Sequence, residues 1–270
     1  MENIEKLSYR QKEYQTLFLE FEDSVATLKL NRPQANNALN SEMLDELIEV
    51  ISQIAEDGEI KALIICGAGK SFCAGGDVES FSTFGSAEAR EFVDRVFHLE
   101  RLVVDLPQPT IAAVSGFALG GGMEIVMMCD LRIAAANSRF GQPEVNLGII
   151  PGAGATQRLV QNVSLCQAKE MILLGETIRA ADAMQLGIIN KVVPLDELRE
   201  SAREWAKKLV SKPPLAVQAA KKAINAAWSC DIETGMKMEC EAWSLLYDTE
   251  DQKEGMKALL EKRKPVFKGR

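Results

Sequence analysis

Residues 112–130 read AAVSGFALGGGMEIVMMCD. The run starts inside an apolar stretch, 110–114, with the length and composition of a strand covered on both faces. It passes through Gly120-Gly121-Gly122 into a short apolar helix expected over 123–129. Strand, glycine turn and buried helix in that order point to an α/β chain. Working outward, residues 17–21 and 25–30 alternate apolar with polar side chains around Glu22-Asp23-Ser24, the pattern of a β-hairpin. Asn40 or Ser41 caps a helix whose apolar positions, Leu44, Leu47, Ile48, Ile51 and Ile54, fall at helical spacing until Gly58 ends it. A second buried strand is expected over 62–66. A glycine-bearing loop follows over 67–76, then an amphipathic helix from about Ala87 to Asp105, broken by Pro107 and Pro109. Residues 131–135 add a further strand. From Leu195 onward only helical patterns remain, punctuated by Pro213-Pro214 and Gly255. The sequence thus divides into an α/β core over 1–200 and a helical region over 201–270.

The 270 residues suffice for a large core without disulfide or metal staples, since a chain of this size buries roughly three-quarters of its unfolded surface. With 31 Lys and Arg against 39 Asp and Glu, the net charge is −8. That balance argues against nucleic acid and anionic membranes as partners, while leaving room for a polyanionic small ligand on a local basic patch. Six cysteines without a C-x-x-C pair, scattered through apolar stretches, suggest buried free thiols in a reducing compartment. A single histidine, His98, cannot build a multi-histidine metal site, so no metal is expected. The start, MENIEKLSYRQKEYQT, is acidic and lacks the apolar segment of a signal peptide. No run approaches the roughly 20 apolar residues of a membrane-spanning helix. A cytoplasmic protein is expected.

Three stretches carry chemistry: SFCAGGD (71–77), the 112–130 run, and SRFGQPEVNLGIIPGAGATQRL (138–159). Glycines just before a helix let backbone approach a ligand, and first-turn N–H groups have no intrahelical partner. Such donors, helped by the helix dipole, suit an oxygen gaining negative charge. Ala74-Gly75-Gly76 offers a second donor of this kind, and two convergent N–H groups are what a thioester carbonyl becoming an enolate requires. Tight turns and close packing account for such loops equally well. The triple glycine lacks the G-x-G-x-x-G spacing of dinucleotide sites, so no nicotinamide cofactor is expected. Glu124 lies in the first turn of an apolar helix and Glu144 in the turn-like FGQPE. Two carboxylates in apolar surroundings at one site push their proton affinities apart, giving one acid and one base. Alternatively, Glu124 merely favours a helix N-terminus and Glu144 sits on a surface loop.

Taken together, the three stretches resemble the signature of the crotonase (enoyl-CoA hydratase/isomerase) superfamily. The likeness runs from about Leu17 to the C-terminus and includes NRPQANNALN at 31–40 and GETIRAADAMQLGIINKVVP at 175–194. It implies a spiral of β-β-α units in two roughly perpendicular sheets, with a C-terminal helical part that packs into trimers or hexamers. It implies an oxyanion hole at the N–H groups of Gly76 and Gly121. Glu124 and Glu144 then hold the reacting water, Glu124 as the base and Glu144 as the acid, with Gln142 orienting the latter. Ala35, Ala74, Asp77 and Val78 fall at substrate-contacting positions. Lys262 matches a lysine that contacts the coenzyme A end, within a basic tail of Lys262, Arg263, Lys264, Lys268 and Arg270. Leu259 stands where the family carries an adenine-stacking aromatic, and Glu79 where it often carries a phosphate-contacting lysine. Coenzyme A is part of the substrate, and no separate cofactor is implied. Both glutamates point to hydration of a trans-2-enoyl-CoA. Alternatives are a Δ3,Δ2-enoyl-CoA isomerase, another acyl-CoA lyase or hydrolase, and an RNA-binding role described for one branch. Apolar residues Trp205, Leu209, Trp243 and Leu246 are expected to need a partner subunit to cover them.

Overall fold

Alternation at the start of the chain folds as a hairpin of β1 (Leu17–Glu22) and β2 (Val25–Leu30), with Leu17 opposite Leu30 and Glu22 opposite Val25. Asp23 and Ser24 make the turn at φ of 50° and 63°, the left-handed pair that matches the twist of a two-residue hairpin. This computed structural model describes residues 8–270; the start at 1–7, expected not to be a leader, lies outside them.

Parallel strands continue the sheet: β3 (Ala62–Gly67), β4 (Thr110–Val114), β6 (Leu131–Ala135) and β9 (Lys191–Val193), in the order β1-β2-β3-β4-β6-β9. Parallel neighbours need crossovers, supplied by α2 (Ser41–Glu56), α4 (Ser86–Val104) and α5 (Gly121–Met128). Asn40 caps α2 by accepting from Met43 N at 2.9 Å, and the helix stops at Glu56, before Gly58. A second sheet holds β5 (Phe117–Leu119), β7 (Arg139–Gly141) and β8 (Thr177–Arg179). These strands are three residues each and too short to show a period, which is why the sequence does not reveal them.

The all-apolar β3 is explained by burial on both faces. Leu63 and Ile65 join the main core with α2 and α5, while Ala62 and Ile64 join a second cluster with Leu198, Ala202 and Ala206 of α9 (Leu198–Val210). The first helix after Leu195 therefore packs on the sheet. Trp205 and Leu209 pack against that second cluster, contrary to the expectation that they need a partner subunit. Trp243, on α11 (Ile232–Leu246), does remain 60% exposed. All six cysteines are free, but Cys166 and Cys240 are exposed, so only part of the expected thiol burial holds. Among the described residues, no helix is long and apolar enough to cross a membrane.

Candidate active site

The site forms where loop 71–77 is laced between two other segments. On one side is the 31–40 stretch, where Asn36 and Asn37 take φ of 49° and 57°, a conformation asparagine tolerates better than most residues. Asn37, fully buried, donates to the carbonyls of Ala68 (2.9 Å) and Ser71 (2.7 Å) and accepts from Arg32 N at 2.9 Å. Ala74 N then donates to Asn36 O (3.0 Å), Leu39 N to Gly75 O (2.8 Å), and Asp77 N to Leu39 O (2.9 Å). On the other side, Cys73 N donates to Phe117 O and Leu119 N to Cys73 O, tying the loop to β5.

This lacing presses the loop against the N-terminus of α5. A side chain at Gly121 would begin 3.9 Å from Gly76 N, so the two glycine loops meet backbone to backbone. The N–H groups of Gly76 and Gly121 have no acceptor among the described residues, and both glycines are partly open to solvent. At the other end of α5, Arg132 donates to the carbonyls of Met127 and Cys129, each at 3.0 and 3.2 Å respectively, placing a cation where the helix dipole is negative. Sequence reading missed this residue, because its partners lie within a turn that only the fold creates.

Glu124 is buried at 2% exposure, and its Oε1 accepts from Ala153 N (2.8 Å) and Ala155 N (2.9 Å). Burial raises its pKa to about 7; the amide of Ala155 opposes the rise, and the charges of Glu144 and Glu100 add to it. Glu144 opens a 3-10 turn, Glu144–Leu147, and burial raises its pKa as well. The absence of a Cβ at Gly120 makes room for it, since one there would lie 2.7 Å from Glu144 Oε1. Fully buried Gln142, with its amide nitrogen turned to the carboxylate, donates to Glu144 Oε1 at 3.0 Å and Oε2 at 3.2 Å. Thus Glu124 and Glu144 converge beside two unpartnered N–H groups. Burial raises the proton affinity of both carboxyls, and two interacting carboxyls titrate as a pair.

The raised pKa of Glu124 has a consequence for stability. Its unfolded pKa is 4.5 and its folded pKa about 7, so the stability it contributes is present below pH 4.5 and lost as pH rises through 7. Charged Glu124 therefore destabilises the fold at pH 8, by roughly 3 kcal/mol at most. Glu124→Gln keeps an oxygen for Ala153 and Ala155 N–H and is expected to melt a few degrees higher than the parent at pH 8. Thermal melts across pH 5–8 should show that gain vanish on the acid side; a constant difference would contradict it.

Of the other sequence-picked residues, Ala35 and Ala74 come together through the Asn36–Ala74 hydrogen bond, both half-buried. Asp77 caps the short helix α3 (Val78–Phe81), accepting from Ser80 N at 3.3 Å and pairing with Arg32 at 2.9 Å. Although burial pushes its carboxyl up, these bonds hold it below the usual range. Val78 and Glu79 are exposed beside it. Leu259 and Lys262 are exposed at the end of α12 (Glu250–Leu260), and neither hydrogen-bonds or ion-pairs with the glycine loops among the described residues. The basic tail is partly paired: Arg263 pairs with Glu254 and Glu261, and Lys268 and Arg270 share Glu250. His98 is exposed on α4. Among the described residues, no three His, Cys, Asp or Glu side chains cluster as metal ligands.

A model of the enoyl-CoA hydratase/isomerase family matches residues 20–270. The short-chain-enoyl-CoA hydratase of Clostridium acetobutylicum is 48% identical over 256 residues, covering 93% of this chain and 97% of that protein. The crotonyl-CoA hydratase of Syntrophomonas wolfei is 45% identical over 255 residues, covering 94% and 98%. A crystal structure of an enoyl-CoA hydratase from Bacillus anthracis is similar at a TM-score of 0.92 and 40% identity, covering 95% of this chain and all of that one. The α/β spiral expected from the sequence is therefore the fold of this chain.

Proposed function

Because the chain belongs to the enoyl-CoA hydratase/isomerase family, we propose that it is an enoyl-CoA hydratase, adding water to a trans-2-enoyl-CoA thioester to give a 3-hydroxyacyl-CoA. The observation that carries this reading is the convergence of Glu124 and Glu144 beside the free N–H groups of Gly76 and Gly121. The thioester carbonyl accepts from those two N–H groups. They favour the enolate-like transition state over the ground state, because the oxygen's charge grows as the reaction proceeds. One water lies between the carboxyl groups. Its oxygen bonds to C3 and its proton passes to the ionised carboxylate, while the protonated partner delivers a proton to C2. The C2–C3 double bond is consumed and one water is added in sum.

The sequence-based assignment makes Glu124 the base and Glu144 the acid. Burial of Glu124 pulls the other way, holding a proton there as pH falls through about 7, so the two roles are assigned to the pair. Coenzyme A enters as part of the substrate. Ala35, Ala74, Asp77 and Val78 are proposed to line its path past the glycine loops. Leu259 and Lys262 are proposed to meet its adenine end. Two relatives are named for short-chain and crotonyl-CoA substrates, which makes crotonyl-CoA the substrate to test first. Loss of its enone absorbance in water supports hydration. No loss, with a 3-enoyl-CoA becoming conjugated instead, supports the isomerase reading, which does not need both glutamates. An RNA-binding role finds little support in a net charge of −8.

A homotrimer or homohexamer is proposed as the working form. Ile232, Trp243 and Leu260 are 83%, 60% and 84% exposed on the C-terminal helices, an apolar load that further copies of the chain would cover. Light scattering should report three or six chains; a stable monomer would refute the assembly.

A further inference from the structure

The two amides that grip Glu124 belong to a turn with no charge of its own. Ala153 N and Ala155 N flank Gly154, which takes φ of 95° just before α6 (Ala155–Asn162). A side chain at Gly154 would begin 3.8 Å from both Arg158 Nε and Glu100 Oε2. The Arg158–Glu100 ion pair therefore lies over the residue between the two donors. Arg158 Nε donates to Glu100 Oε1 at 3.1 Å and a second guanidinium nitrogen donates to the same oxygen. Both side chains are about four-fifths buried, at 22% and 20% exposure, which favours a fixed geometry over a solvated surface pair. α4 touches the same turn again at Val93, whose Cγ2 would lie 3.3 Å from a Cβ at Gly152. Val93 and Glu100 are seven residues apart and so share one helical face.

We propose that Arg158 and Glu100 are positioning residues, clamping the 152–155 turn onto α4 so that its amides stay on Glu124, and balancing the charge around that carboxyl. The proposal rests on reading Glu124 as half of the acid–base pair. Charged groups around it are Glu144 from the 144–147 turn, Glu100 from α4 and Arg158 from α6, with Arg132 behind Arg158; α5 adds none beyond Glu124 itself. Glu100 pushes the Glu124 proton affinity upward; the cation paired with Glu100 has the sign that opposes such a push.

The test follows the Glu124 carboxyl by 13C NMR, identified by its loss in Glu124→Gln, through a pH titration of the full-length parent, Glu100→Gln, Arg158→Gln and Arg158→Lys. In Glu100→Gln the substitute amide oxygen still accepts from Arg158, so the clamp stays while the negative charge goes. Its midpoint should fall by roughly half a pH unit. Arg158→Gln removes clamp and cation together; its midpoint should rise by a similar amount and its Ala155 N–H exchange about tenfold faster. Arg158→Lys keeps the cation and should stay near the parent midpoint. Opposite shifts support the charge balance. Unmoved midpoints, or shifts of one sign in both glutamine variants, overturn it, and Glu100→Gln alone decides if Arg158→Gln does not fold. This titration needs no turnover, so a parent that does not hydrate crotonyl-CoA would reject the hydratase reading while leaving the clamp to be judged by its own result.

Discussion

Glu124→Gln and Glu144→Gln are each expected to lower turnover of crotonyl-CoA at least about a hundredfold, with the thioester still bound. Glutamine keeps the shape and the hydrogen-bonding oxygen but cannot exchange a proton at neutral pH. Ala153 N and Ala155 N would still have an acceptor at position 124, so the turn stays in place and the loss is chemical. The carbonyl's proposed partners, Gly76 and Gly121, are untouched, so KM should change much less than kcat. The double variant should be little worse than either single one, because two groups serving one water act as a unit. Steady-state rates at pH 7 with circular dichroism as a folding control check this. A near-parental rate for either variant would remove that residue from the mechanism.

The second large effect is expected from Gly122→Ala. Helix propensity alone favours alanine there by about 1 kcal/mol. Yet the new Cβ would lie 2.1 Å from Cys73 O and 2.8 Å from its carbonyl carbon. Neither side can yield cheaply. Loop 71–77 is bonded to 36–39 on one flank and to β5 on the other, while α5 is held at its far end by Arg132. Separation of the loop from the helix would pull the Gly76 and Gly121 N–H groups apart. Losing the alignment of one such donor costs about 10²–10³ in rate, and overpacking adds about 1–3 kcal/mol of destabilisation. Gly58→Ala is the control, since nothing lies within 4 Å of its Cβ; it should change stability by less than about 0.5 kcal/mol. Urea unfolding and hydration rates on both variants test this, and a stable, active Gly122→Ala protein would show that the loops are not locked together.

Much of the architecture was legible because its signals are local. The alternation of 17–30, the helical spacing of Leu44 to Ile54 and the apolar run at β3 each describe how a short segment divides its side chains between core and solvent. The triple glycine and the two glutamates were legible as chemistry in search of a place. The three-residue strands were not, nor was the partial burial of Trp205 against the sheet, since that depends on what packs from the opposite layer. Exposed Cys166 and Cys240 mark the same limit, because an apolar neighbourhood in sequence need not be one in space.

By itself, the sequence determined the α/β layering, the helical C-terminal part and the candidate groups, all properties of periodicity and residue type. Only the tertiary structure decided that Ala153 and Ala155 turn their amides onto Glu124 and that Arg158 reaches back to Glu100 across 58 residues. Those contacts join segments through the crossovers of a parallel sheet, and no local preference encodes which distant backbone group a buried carboxylate will meet.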